Sequence, residues 1–472
     1  MGNVDRAARL IADVHARGVT EFCVCAGSRN SPLLAVLGAS SHRLYSFVDE
    51  RSAAFFALGR AKLLGQPVAI VTTSGTAVAE LLPAAIEAHY ARIPLVFITA
   101  DRPGRFRGTG APQSIEQLDL FGVYAETSLD GWSRTRPLHV NIEFDEPLLG
   151  TTASPPADAA APPPPPPPST RPLVLLGALH PHHHPRVRTF LRNLNAPAYA
   201  EPLSGLREDP SLPLITSGER VIARYNPDTV IRIGNVPTLR FWRDLEDRNT
   251  PVIHYSDNPF TGLTRGELHP IESLPDLHGT RDDSFFELDK QYAQRFAAVL
   301  DDEPQSELAL IRALSREIPA HSRVYLGNSL PIREWDLAAS RERAFEYEAN
   351  RGANGIDGQL STFFGWCDPN RDNICLLGDL TTIYDLNAPW IVPQLGHRRF
   401  RIVVMNNGGG RIFSRVASLR VLDPAMRERI IENAHDVHFE EWAKMWDIEV
   451  TELRPDADAS KRVWARYDEL WS

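Results

Sequence analysis

Short apolar runs alternate along the chain with stretches whose apolar residues recur every three to four positions, a pattern that predicts strand and helix in turn. Residues 4–16 have helical spacing, 19–26 form an apolar strand, and Gly27-Ser28-Arg29-Asn30-Ser31-Pro32 turns into the next helix. Residues 44–48 read as a strand, 51–64 as a helix, 68–71 as a strand, Thr73-Ser74-Gly75-Thr76 as a turn and 77–91 as a helix. The strand at 95–99 ends in Ala100-Asp101-Arg102-Pro103. This alternation predicts a doubly wound parallel sheet. Polar turn residues follow each strand, where open α/β sheets bind their ligands.

The pattern breaks at residue 151. Alanine and proline dominate, ending in seven consecutive prolines at 162–168, a stiff polyproline spacer that marks a boundary. A second α/β segment runs through Pro172-Leu173-Val174-Leu175-Leu176-Gly177, Thr229-Val230-Ile231-Arg232-Ile233-Gly234-Asn235 and Val252-Ile253-His254-Tyr255. The histidines at 180 and 182–184 stand in a loop between prolines, with no carboxylate or cysteine pattern beside them in sequence to suggest a metal site. Asp301-Asp302-Glu303 suggests a second linker. The third segment has a helix near 306–316, a strand at 323–326, the turn Gly327-Asn328-Ser329, and a strand at 344–348 leading to Asn350-Arg351-Gly352. After two more apolar runs, a charge-rich segment leads to a strand at 448–453 and a helix at 460–471. The expected division is therefore a first domain at 1–150, a linker at 151–171, a central domain at 172–300 and a third domain at 301–472.

A length of 472 residues agrees with roughly three domains, and a hydrophobic share of 43% is enough for ordinary cores. A net charge of -10 argues against a nucleic-acid partner, since no basic excess is available to neutralise phosphates. The four cysteines, Cys23, Cys25, Cys367 and Cys375, lack metal-ligand spacing, and a reduced, cytoplasmic setting fits them. The N-terminus reads as an amphipathic helix rather than a signal peptide, and no apolar run is long enough to span a membrane.

The chemistry concentrates between Gly378 and Phe413. One apolar run ends in Gly378-Asp379; another, Val403-Val404-Met405, ends in Asn406-Asn407-Gly408-Gly409-Gly410. Both read as buried strands with oxygen ligands at their ends, joined by a mostly helical stretch at 381–395 whose N-terminus suits an anionic phosphate. A carboxylate, an amide oxygen and a glycine carbonyl are hard ligands of the kind that hold Mg²⁺ together with phosphate oxygens and water. Gly-Asp followed by Asn-Asn about one βαβ unit later resembles the thiamine diphosphate signature. The resemblance makes Asp379, Asn407 and the Gly409 carbonyl the metal ligands, with Mg²⁺ or Mn²⁺ as the ion. It places Gly378, Leu380, Thr381, Gly410 and Ile412 beside the diphosphate.

In Phe47-Val48-Asp49-Glu50-Arg51 a carboxylate stands at a strand end among apolar residues. Taken alone, Glu50 reads better as an acid in the first turn of the following helix. Beside the Asp379 stretch, it matches the glutamate that hydrogen-bonds the aminopyrimidine ring in thiamine diphosphate enzymes. That bond favours the imino tautomer, whose nitrogen takes the proton from the thiazolium carbon. Further blocks sharpen the resemblance. Gly27-Ser28-Arg29, Asp49-Glu50-Arg51, Thr73-Ser74-Gly75-Thr76-Ala77, Thr99-Ala100-Asp101-Arg102-Pro103 and Gln113-Ser114-Ile115 stand in the first domain. Gly327-Asn328-Ser329-Leu330, Asn350-Arg351-Gly352-Ala353-Asn354-Gly355-Ile356-Asp357-Gly358, Gly378-Asp379-Leu380-Thr381 and Tyr384-Asp385-Leu386-Asn387 stand in the third. In this order they resemble the MenD family of menaquinone biosynthesis.

That resemblance implies an α/β fold of three doubly wound parallel-sheet domains: pyrimidine-binding, central and diphosphate-binding. It implies a transferase that decarboxylates 2-oxoglutarate on thiamine diphosphate and adds the succinyl carbanion equivalent to isochorismate. Both substrates are dicarboxylates, and arginine forks suit them. Arg29, Arg102, Arg333 and Arg351 occupy matching positions, Arg240 is a further candidate from the central domain, and Ser28, Gln113 and Ser329 would add neutral hydrogen bonds. Thr73 and Gly75 would meet the cofactor, and Ile356 would wedge it into its bent shape. The site is expected between two subunits of a homodimer or dimer of dimers. Three departures from the family pattern stand out. Ala26 replaces a usual proline, Pro389 and Pro393 fall where a helix is expected, and the chain stops before an expected last strand and helix. Two other readings remain open: another thiamine diphosphate-dependent 2-oxoacid decarboxylase or carboligase, and a truncated, non-catalytic relative.

Overall fold

A computed structural model describes residues 2–25, 29–47, 50–104, 115–145, 148, 171–245, 248–259, 261–263, 266–351, 356, 358–415, 424, 432 and 434–471. The described strands form three parallel sheets of five, each with the spatial order 2-1-3-4-5 counted along its own strands. The first sheet contains β1 (Glu21–Cys25), β2 (Arg43–Phe47), β3 (Val68–Thr72), β4 (Leu95–Asp101) and β5 (Leu138–Glu143). Its helices are α1 (Asn3–His15), α2 (Ser31–Gly38), α3 (Glu50–Leu64), α4 (Thr76–Ala79) and α5 (Leu82–Ala91). The second contains β6 (Pro172–Leu176), β7 (Ala198–Ala200), β8 (Thr229–Ile233), β9 (Val252–Tyr255) and β10 (Glu267–His269). With it go α6 (His184–Leu194), α7 (Ile222–Tyr225), α8 (Arg240–Asp244) and α9 (Asp283–Asp302). The third contains β11 (Arg323–Leu326), β12 (Glu346–Glu348), β13 (Asn373–Gly378), β14 (Phe400–Met405) and β15 (Val450–Leu453). Its helices are α10 (Glu307–Glu317), α11 (Leu330–Ala338), α12 (Gln359–Trp366), α13 (Asp379–Tyr384), α14 (Glu440–Trp446) and α15 (Ala457–Glu469).

The central strands are apolar because helices cover both sheet faces. β1, β3, β4, β6 and β8 are buried along their whole length. The first and third sheets share one core, in which Phe55 and Phe56 of α3 pack with Phe363, Phe364 and Trp366 of α12. All four cysteines are buried in that core. Lys62 of α3 adds a polar tie, donating to Glu348 Oε1 of β12 at 3.0 Å. Among the described residues, no helix is long and apolar enough to cross a membrane.

The elements depart from the sequence pattern where proline or side-chain bonding intervenes. The helix expected at 77–91 is two helices, broken where Pro83 enters the first turn of α5. The stretch at 381–395 is the six-residue α13 followed by a 3-10 turn, Ala388–Gln394, that holds Pro393 inside it. Asp301 and Asp302, read as linker, are the last residues of the 20-residue α9. At the C-terminal end, β15 forms one edge of the third sheet. α15 follows it and packs Val463 and Tyr467 into a small core with Phe296 and Leu300 of α9 and Leu308 of α10.

Candidate active site

Strands β13 and β14 run side by side, with Gly378 paired to Met405, so the residues after each strand emerge together. Asp379 opens α13 and is buried. Its Oδ2 accepts from the Gly408 and Gly409 amides, each at 2.9 Å, and its Oδ1 from the Leu380 amide at 2.6 Å. Two amides can converge on one oxygen because Gly408 and Gly409 adopt φ of +77° and +132°, which side chains disfavour. Burial pushes the Asp379 carboxyl above its ordinary range, opposed by these amides and by His435, whose Nε2 lies 3.4 Å from Oδ2.

Asn407 follows directly. Its Nδ2 donates to Glu307 Oε1 at 2.7 Å, while its Oδ1 is buried with no hydrogen-bond partner among the described residues. An orphaned amide oxygen is costly unless something binds it. Together with the Asp379 carboxylate and the Gly409 carbonyl it forms a hard-oxygen donor set, so the residues present fit a divalent cation. Gly409 O accepts from the Arg411 amide at 2.8 Å, and Arg411 in turn pairs with Glu432 at 2.7 Å. Thr381 is buried, whereas Leu380, Gly410 and Ile412 are half-buried along the same turns.

The turn after β11 holds two arginines. Arg351 donates from Nη1 to Asn328 Oδ1 at 2.8 Å, and Arg333 donates from Nη1 to the Ser329 carbonyl at 2.6 Å. Ser329 has a φ of +72°, a strained conformation for a side-chain-bearing residue. Burial draws Arg351 down to about 10; Glu201 opposes that shift and Arg333, a like charge, adds to it. A guanidinium group can meet a carboxylate at two points. Arg351 also lines a cleft of about 1590 Å³ between the sheets, with Lys62, Gly234 and Asn235; Asp379 is not among its lining residues.

Glu201, after β7, is raised to about 8, first by burial, then by Asp336, with Arg351 opposing. The folded chain therefore holds this proton more tightly than the unfolded chain does. Its contribution to stability is full below the ordinary value of 4.5 and is lost as pH rises through about 8. Glu201→Gln keeps an acceptor for the Thr238 amide and cannot ionise. Urea midpoints should therefore favour this variant over the natural chain increasingly from pH 5 to pH 8, and parallel profiles would refute the assignment.

In the first sheet, Glu50 is the first residue of α3, follows β2 and is half-buried. Arg29 is buried and donates from Nη1 to the Phe144 carbonyl at 2.9 Å. Thr73 is buried; the Gly75 amide donates to Gln117 Oε1 at 3.2 Å. The Arg102 amide donates to Asp101 Oδ1 at 2.7 Å, and the Arg102 side chain is half-buried, as is Ile356. Ser28 and Gln113 lie outside the described residues, as does Ala26. Arg240 stands apart on α8. Its side chain is 76% exposed and pairs with Asp244 at 3.6 Å, a surface pair that contributes little.

Several residues to which sequence reasoning gave no role of their own stand near these sites. Asp385 accepts from the Gly358, Leu360 and Ser361 amides and lies 3.5 Å from Arg51, tying α13, α12 and α3 together. Burial raises it to about 6. Glu307, His435 and Glu201 reach their partners across 100, 56 and 37 residues, so no local spacing signals them. The histidine loop does gain carboxylates, from distant sequence. His183 Nε2 lies 2.6 Å from Asp257 and its Nδ1 lies 3.2 Å from Glu272, and His182 is close by. Ligand atoms of His182, His183 and Asp257 lie within 4.8 Å of one another, a grouping that could hold a metal ion.

Residues 5–120 match the family described as thiamine pyrophosphate enzyme, N-terminal TPP binding domain. Proteins named 2-succinyl-5-enolpyruvyl-6-hydroxy-3-cyclohexene-1-carboxylate synthase are similar along the whole chain. That of Bdellovibrio bacteriovorus is 41% identical, with 100% of both chains covered. That of Akkermansia muciniphila is 37% identical over 95% of this chain and 91% of its own. That of Chloroflexus aurantiacus is 32% identical over 94% and 88% respectively.

Proposed function

The chain belongs to the 2-succinyl-5-enolpyruvyl-6-hydroxy-3-cyclohexene-1-carboxylate synthase family of thiamine diphosphate-dependent, carbon–carbon bond-forming enzymes, and from that premise we propose that it acts on 2-oxoglutarate and isochorismate. It removes CO₂ from 2-oxoglutarate and joins the remaining succinyl unit to isochorismate, a step of menaquinone biosynthesis. One observation carries the reading: the Asp379 carboxylate, clasped by the Gly408 and Gly409 amides, stands at adjacent strand ends with an Asn407 oxygen left unpaired.

Thiamine diphosphate, when bound, would supply a nucleophilic thiazolium carbon and a cationic ring able to take up the electron pair released as a 2-oxoacid loses CO₂. In this reading Asp379, Asn407 and the Gly409 carbonyl hold Mg²⁺ or Mn²⁺ against the diphosphate. Gly378, Leu380, Thr381, Gly410 and Ile412 shape that end of the site, and Thr73, Gly75 and Ile356 the other. Glu50 holds a proton at the aminopyrimidine ring. Arg333 and Arg351 bind substrate carboxylates from the third domain. Arg29 and Arg102, with Ser28, Gln113 and Ser329, complete the substrate pocket; Arg240 would join them only by moving off its pair with Asp244. Residues 1–150, 172–300 and 301–472 form the pyrimidine-binding, central and diphosphate-binding domains, with 151–171 as linker, in a cytoplasmic enzyme.

The active unit in this proposal is a dimer or a dimer of dimers. Within one chain, Arg51 at the start of α3 donates to the Tyr384 carbonyl at 2.8 Å, at the end of α13 away from Asp379. A second copy presenting its own Glu50 to the Asp379 end would complete each site.

The test is a coupled assay. Purified protein with Mg²⁺, thiamine diphosphate and 2-oxoglutarate should consume isochorismate absorbance and release one CO₂ per isochorismate. Cofactor binding without consumption would favour a non-catalytic relative. Equal turnover with unrelated acceptors would favour a general carboligase.

A further inference from the structure

An asparagine amide has two dissimilar ends, and only its oxygen can face a cation. Something must therefore decide which way Asn407 points. Here its Nδ2 donates to Glu307 Oε1 at 2.7 Å, and its Oδ1 is the buried atom without a partner. Glu307 is itself firmly held. It is buried at 3% exposure, opens α10, and its amide donates to Ser460 Oγ of α15 at 3.0 Å. The Glu334 carboxyl of α11 lies against that of Glu307. Glu334 Oε1 accepts from Arg415 Nη2 at 2.7 Å, and the Arg415 guanidinium lies 3.7 Å from the centre of the Trp464 ring. A continuous set of contacts thus runs from the C-terminal helix α15 to the side chain of Asn407.

We propose that Glu307 is the positioning residue of the metal site: by accepting the Nδ2–H of Asn407 it turns the amide oxygen toward Asp379 and so sets the affinity for the divalent cation. The proposal rests on the reading of Asn407 as a metal ligand. Outer partners that orient a ligand typically change metal affinity by about 10- to 100-fold when lost. Glutamine at 307 can accept from Asn407 and donate to Glu334 at once, whereas methionine of similar size can do neither.

The experiment titrates Mg²⁺ into the protein with thiamine diphosphate, reads quenching of tryptophan fluorescence, and records the unfolding midpoint of each metal-free variant. Glu307→Met should raise the half-saturating Mg²⁺ concentration by about 10- to 100-fold, and Glu307→Gln should stay within about threefold of the natural chain. Should Glu307→Met fail to fold, Glu307→Asp, which withdraws the acceptor by one methylene, takes its place with the same expected rise. A methionine or aspartate variant that binds Mg²⁺ as the natural chain does would overturn the proposal. So would a glutamine variant as weak as the methionine one. Asn407→Ala separates the two levels: it should abolish Mg²⁺-dependent quenching, and quenching that survives would overturn the ligand reading itself.

Discussion

Glu50→Gln is expected to lower turnover by roughly 100-fold or more, the scale set by a positioned proton-handling group, while cofactor affinity stays within a few-fold. The residue has two available roles that differ sharply in size. As an acid in the first turn of α3 it would complement the helix dipole and contribute about 0.3–1 kcal/mol to stability. As the partner of the aminopyrimidine ring it would govern whether the proton at the thiazolium carbon can be removed. Glutamine preserves length, volume and hydrogen bonding at the helix start but cannot give and regain a proton. The two roles therefore separate in one variant. Deuterium exchange at the thiazolium carbon, followed by NMR on the bound cofactor, should slow in step with turnover. Exchange at the natural rate, with only a slightly lowered unfolding midpoint, would leave Glu50 as a helix-start acid and nothing more.

The fold was legible where burial on both sheet faces forces unbroken apolar runs, as in Leu173–Leu176 of β6 or Val403 and Val404 of β14. It was illegible where buried polar groups satisfy one another. β5 carries His139 and Asn141 and draws no reading from the sequence pattern; Thr99 bonds both, at 2.7 and 2.9 Å, and Gln117 reaches Asn141 at 2.7 Å. β10 is a short exposed edge whose single apolar residue, Leu268, is too little to announce it. The site divides along the same line. Asp379 and Asn407 stand at strand ends, where topology alone draws attention to them. Glu307, Glu334, Glu201 and His435 act through neighbours brought close only by packing, and a helix-start glutamate looks the same in sequence whether it faces solvent or a ligand. Arg240 shows the reverse hazard: its motif position suggested a pocket, and the structure places it in an exposed pair along α8.

The junction on which both halves of the site depend makes the second large prediction. Gly59 lies in the interior of α3, where glycine costs about 1 kcal/mol relative to alanine, so its presence requires a packing reason. A Cβ there would stand 2.2 Å from the Thr362 carbonyl oxygen of α12. The reason is reciprocal, because a Cβ on Gly365 of α12 would stand 2.4 Å from the Phe56 carbonyl oxygen of α3. The helices approach closely enough for Thr362 Oγ1 to reach the Phe55 carbonyl at 3.2 Å. Both obstructing atoms are backbone and cannot rotate aside, so a side chain must force the helices apart and open the aromatic core around Phe363 and Trp366. Gly59→Val should destabilise the chain by roughly 3 kcal/mol or more, the upper range for overpacking a well-filled core. Gly38→Ala is the control. It sits at the end of α2 with nothing within 4 Å of the added carbon, and its unfolding midpoint should match or slightly exceed that of the natural chain. The same separation would shift α3, which presents Glu50 to one site of the proposed dimer, relative to the third sheet, which supplies Asp379 and Arg351 to the other, so the folded fraction of Gly59→Val should also lose activity. Thermal unfolding of the three proteins decides the matter: a Gly59→Val midpoint equal to that of Gly38→Ala would mean that the first and third sheets do not depend on this close crossing.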